Sequence, residues 1–137
     1  STIGSVVALG RGWPCGRVVL LGASPDVPLR FRQFGKAVGL SPAEYDAFWE
    51  YSQSLFDPGV LDEISSHHIA PRLGHVPALL VHDEHDQEAE LHAAEVLAEK
   101  WPGARLERTT GLGHRRILHA KAVVQMVRDF MKGEVTQ

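Results

Sequence analysis

Two acid- and histidine-bearing stretches near the C-terminus carry the chemistry of this chain. One is Pro77-Ala-Leu-Leu-Val-His82-Asp83-Glu84-His85-Asp86, and the other is Ala104-Arg-Leu-Glu-Arg-Thr-Thr110-Gly-Leu-Gly113-His114. Each reads as a strand that runs out into a polar loop. His114 follows Gly-Leu-Gly, so its backbone can turn sharply with open space around the ring. An imidazole titrates near neutrality and can serve as a general base. Asp86 lies a few residues past its strand, where a carboxylate could accept the imidazole N–H and fix its tautomer. It would also suit a helix N-cap, and Asp83 and Glu84 are alternative acids closer to the strand. The run from His82 to Asp86 has a second sharp reading as ligands for zinc, manganese or iron. Its spacing matches no H-E-x-x-H type motif. Cys15, in Trp-Pro-Cys-Gly before a strand, falls at the wrong end of a sheet to join the two loops. His119 competes with His114 for the role of base, but it is expected inside the last helix.

These side chains need elements to carry them. Residues 17–21, Arg-Val-Val-Leu-Leu, form a short apolar run that predicts a strand buried on both faces. The run 5–9 before it reads as the end of a helix that starts near Gly4. Residues 78–81 predict a second strand and 104–109 a third, the last alternating enough to lie near an edge. Between the second and third, residues 87–100 read as a helix with Ala89, Ala93, Val96 and Leu97 on one face. Residues 119–132 read as a final helix with Val123, Met126, Val127 and Phe130 inward. Strand–helix–strand–helix at this spacing predicts an α/β fold, a parallel sheet covered by helices.

Residues 28–70 interrupt that pattern. Ser41-Pro-Ala-Glu44 is a capping box with proline at the first helical position. It predicts a helix to about Leu55, with a shorter one over 60–66. Seven of the ten aromatic residues fall here: Phe31, Phe34, Tyr45, Phe48, Trp49, Tyr51 and Phe56. They build either a local core or a lid over an apolar substrate pocket.

The composition sets outer bounds. The 137 residues suit one domain or part of a larger one. With 44% hydrophobic and 23% charged residues, the chain is that of a folded globular protein. A net charge of −3 gives no electrostatic case for nucleic acid or an anionic membrane. No apolar run is long enough to cross a bilayer. One cysteine excludes an internal disulfide and fits a reducing, cytoplasmic setting.

Taken together, the two loops and their order resemble the C-terminal half of an α/β-hydrolase, over nearly the whole chain. In that family a late strand is followed by a lid insertion. The next strand leads to a His-Gly-x-x-Asp loop bearing the triad acid, and the last strand leads to Gly-His, the triad base. His82-Asp83-Glu84-His85-Asp86 matches the first loop, with Asp83 in place of glycine, and Gly113-His114 matches the second. The resemblance implies Asp86 as acid and His114 as base. The opening Ser1-Thr-Ile-Gly4-Ser5 resembles the second half of the G-x-S-x-G elbow that holds the nucleophile. Ser1 is the candidate nucleophile, one residue further from Gly4 than the pattern sets it, and the strict register puts Thr2 there.

The expectation is a single α/β-hydrolase-like domain over 1–137, incomplete, with a helical lid insertion at 28–70. Its function would be serine-type hydrolysis of an ester or related acyl bond in a small-molecule substrate, with no cofactor and no metal. A non-catalytic binding or interaction module is the alternative, and a metal-dependent hydrolase is third. A three-stranded sheet leaves an edge unpaired, so the chain is expected to need a missing N-terminal half, a partner or self-association.

Overall fold

Val18, Leu20, Ala78 and Leu80 point to one face of a parallel sheet, and Val19, Leu21, Leu79 and Val81 point to the other. That two-sided pattern is why helices cover both faces. The computed structural model describes residues 2–24, 26–74 and 76–133. In chain order the elements are α1 (Thr2–Gly10), β1 (Val18–Leu21), α2 (Val27–Ala37), α3 (Pro42–Ser54), α4 (Val60–Glu63), α5 (Ser66–Ile69), a 3₁₀ turn (Ala70–Leu73), β2 (Ala78–Asp83), α6 (Leu91–Lys100), β3 (Ala104–Thr109), α7 (Gly113–Arg116) and α8 (Lys121–Lys132). The sheet order is β1-β2-β3, with both pairings parallel.

β2 is the centre of the molecule. All six of its residues are buried, and each fully buried leucine there contributes about 2 kcal/mol of hydrophobic stabilisation. On one face Val6 of α1, Ala70 and Leu73 of the 3₁₀ turn, Leu97 of α6 and Trp101 just past it close over β1 and β2. The Trp101 indole N–H donates to Val76 O at 3.0 Å, which satisfies its one polar atom in that core. On the other face Val123, Met126, Val127 and Phe130 bring α8 down on Leu79 and Val81, and Ile117, just past α7, joins them. The stripe expected for the last helix is the one that packs.

Several expectations shift. β1 is only half buried, Val19 and Leu21 being partly exposed, because among the described residues it pairs with β2 alone. α6 starts at Leu91 rather than 87, since residues 86–90 form a separate turn. Its buried residues are Ala93, Ala94 and Leu97, with Val96 half-buried. The last helix starts at Lys121, so His119 lies in an exposed turn between α7 and α8 rather than inside a helix.

Between β1 and β2 the chain is helical. The capping box forms as expected: Ser41 Oγ accepts from Glu44 N, and Glu44 Oε2 accepts from Ser41 N at 2.8 Å. α2, not foreseen as a separate helix, packs on α3 through its rings: Phe31 stacks on Phe48 at 5.6 Å and meets Trp49 edge-on at 5.3 Å. Phe34, Tyr51 and Phe56 remain exposed. No helix among the described residues is long and apolar enough to cross a membrane.

Candidate active site

Parallel strands end at one edge of the sheet. Asp83 at the end of β2 sits in register with Thr109 at the end of β3. Gly22, just past β1, donates its N–H to Val81 O at 2.9 Å. The two polar loops and the end of β1 therefore converge.

Asp86 lies three residues beyond β2. Its Oδ1 accepts from the N–H groups of Glu88 (2.8 Å) and Ala89 (2.9 Å), closing the turn that delays α6. Its Oδ2 accepts from His114 Nδ1 at 2.8 Å. The turn and the histidine are thus held by the two oxygens of one carboxylate, and the N-cap of α6 is Glu90 rather than Asp86. Burial is the largest single influence on this group and pushes its pKa up. The bond from His114, the two turn N–H groups and the charge of His114 together outweigh it and hold the carboxyl below its usual value. Asp86 is therefore ionised near neutrality and can only accept, so His114 Nδ1–H donates to it, which leaves Nε2 as the ring nitrogen not engaged by the carboxylate. The Asp86 side chain is 1% exposed and that of His114 31%: a hidden carboxylate behind a reachable imidazole.

The loop that carries His114 is fixed by a second carboxylate. Asp83 is fully buried. Its Oδ2 accepts from Thr109 Oγ1 and from Leu112 N, both at 2.8 Å, and its Oδ1 accepts from His85 N at 3.0 Å. Burial again pushes the pKa up most, but the N–H groups of Leu112, Gly113 and His85 and the Thr109 hydroxyl bring it well below the ordinary carboxylate range. One residue later, Glu84 Oε2 accepts from Thr110 Oγ1 at 2.8 Å, and Glu84 N donates to Thr109 O. Arg116 donates to the carbonyls of Leu112 and Gly111. Gly111 and Gly113 hold φ of 79° and 63°, the left-handed geometry that glycine adopts most freely.

The histidines of the first loop do not converge. His82 is fully buried, and its Nε2 donates to Ala89 O at 3.0 Å while lying 3.7 Å from Asp86 Oδ2. His85 is exposed. Among the described residues no group of three or more His, Cys, Asp or Glu side chains is arranged to hold a metal ion. Cys15 is exposed, before β1 and so at the opposite edge of the sheet, with its thiol on Arg17 O. Ser1 lies outside the described residues.

Sequence reasoning missed three residues here. Asp83 was weighed only as an alternative acid, whereas it staples the two loops. His82 braces the Asp86 turn. Gly22, given no role from the sequence, lies against the Asp86–His114 bond. Their signal is positional: each falls at the C-terminal end of a strand in one parallel sheet.

No family model matches the chain, and no curated protein matches it. Solved structures do. The chain is similar to the Rv0554 protein of Mycobacterium tuberculosis, with 14% identity and a TM-score of 0.62 over 100% of this chain and 64% of that one. It is also similar to BpoC, a candidate non-heme bromoperoxidase of the same organism, with 13% identity and a TM-score of 0.64 over 98% of this chain and 65% of that one. A third is MGS-M2, an α/β-hydrolase enzyme from a Medee basin deep-sea metagenome library, with 15% identity and a TM-score of 0.57 over 98% and 64%. The likeness establishes the fold: this chain has an incomplete α/β-hydrolase fold. It spans about two thirds of the length of each of these neighbours.

Proposed function

We propose that this chain belongs to a serine-type hydrolase that cleaves an ester or related acyl bond in a small molecule, and that it forms part of a larger catalytic unit. The observation that carries the reading is the 2.8 Å bond from His114 Nδ1 to a buried, doubly anchored Asp86 carboxylate. With Nδ1 so engaged, Nε2 can take the proton of a nucleophilic hydroxyl as it attacks the acyl carbon. It then returns that proton to the leaving oxygen, while Asp86 stabilises the transient imidazolium. Ser1 is the proposed nucleophile. The aromatic helices α2 and α3 would form the lid, with exposed rings such as Phe34 available to an apolar acyl group. A net charge of −3 and a single cysteine favour a small-molecule substrate in a cytoplasmic setting over nucleic acid or a membrane surface.

The reading requires more polypeptide than the described residues supply. β1 has an unpaired edge among them, beside an apolar cleft of about 670 Å³ lined by Ala8, Leu9, Trp13, Val18 and Leu20. A missing N-terminal half or a second copy of the chain would cover both.

A non-catalytic binding module is the second reading, favoured by the extra residue between Ser1 and Gly4 relative to the elbow pattern. The geometry gives a metal-dependent hydrolase no support, since His82 and His85 diverge. A fluorophosphonate probe separates the first two. The intact protein is expected to be labelled covalently in a time-dependent way. Absence of labelling would favour the binding module.

A further inference from the structure

We propose that Gly22 is a positioning residue for the Asp86–His114 pair, because its lack of a side chain is what allows the imidazole and the carboxylate to meet across the end of β1. Gly22 is buried and takes φ of 57°. A Cβ at this position would lie 3.2 Å from His114 Nδ1, 3.4 Å from Asp86 Oδ2 and 3.5 Å from His114 Cε1. It would thus press on the donor end of the hydrogen bond, His114 Nδ1, and come into ordinary van der Waals contact with the acceptor, Asp86 Oδ2. The two partners differ in how far they can yield. Asp86 is held by Glu88 N and Ala89 N through its other oxygen, whereas the partly exposed His114 ring can swing outward. A side chain at residue 22 therefore displaces the ring, and the Nδ1–Oδ2 bond lengthens.

Backbone strain must be separated from this contact, since a non-glycine residue at positive φ is strained wherever it stands. Gly39 supplies the control. Its φ is +78°, and a Cβ there meets nothing within 4 Å. Gly39→Ala carries the backbone cost without the contact. Gly22→Asn is the converse variant, because asparagine enters the left-handed region more readily than alanine while keeping the Cβ.

The test reads the bond itself, by proton NMR of the full chain. The His114 Nδ1–H resonance is identified by its loss in His114→Ala. Gly22→Ala and Gly22→Asn are expected to lose or broaden that resonance, and Gly39→Ala to keep it. If it persists in the Gly22 variants, or vanishes equally in Gly39→Ala, the proposal is overturned. The catalytic consequence alone rests on the hydrolase reading: kcat should fall on the order of 10²-fold in Gly22→Ala, with KM unchanged. An inactive wild-type protein whose resonance still responds only to Gly22 would sink the hydrolase reading and uphold the positioning role.

Discussion

Asp83 and Asp86 leave the same strand three residues apart, and each carboxylate engages both of its oxygens. Asp86 divides them between a turn and a histidine; Asp83 gives both to the frame that holds the histidine loop. Asp83 has a folded-state pKa far below its unfolded value. By linkage, the stability it contributes is fully present above the ordinary carboxylate range, near pH 4, and is lost as pH falls through the folded value. Asp83→Ala removes that charge and leaves the Thr109, Leu112 and His85 donors without their acceptor. It should destabilise the protein by about 3 kcal/mol at pH 7. In urea denaturation the gap between wild type and variant should narrow below about pH 4. Equal midpoints at pH 7 would contradict the staple. His114 and Asp86 were legible because a glycine-flanked histidine and an acid after a strand are local patterns. Asp83 was not, because two of its partners lie 26 and 29 residues away.

Among the elements, those fixed by local chemistry were legible. Ser41 and Glu44 bond each other three residues apart, so α3 began where the capping box placed it. α6 did not, because the Asp86 carboxylate captured the N–H groups of residues 88 and 89 for its own turn. α7 has four residues, too few for a periodic signal. β1 reads from sequence as a strand buried on both faces, but among the described residues it pairs with β2 alone and stays half-buried. With Trp13 70% exposed next to the strand's other edge, the 137-residue chain is expected to self-associate in sedimentation velocity, or to unfold without a cooperative transition. A monomer that unfolds in one sharp step would contradict the proposed need for further polypeptide.

For the whole molecule, the order of strands, helices and the two loops was enough to place the fold, which the solved neighbours then matched over nearly the entire chain. The sequence could not place Gly22 or His82, because their importance arises only when three strand ends meet. Nor does the fold name a substrate, since one architecture hosts many reactions. The central claim is that His114 is the working base of an acyl-bond hydrolase, and kinetics on the full-length protein test it most directly. Wild type and His114→Ala are compared for turnover of short p-nitrophenyl esters. The account predicts that the variant loses kcat by on the order of 10⁴-fold or more with its fold intact. Equal turnover by the two proteins would contradict it.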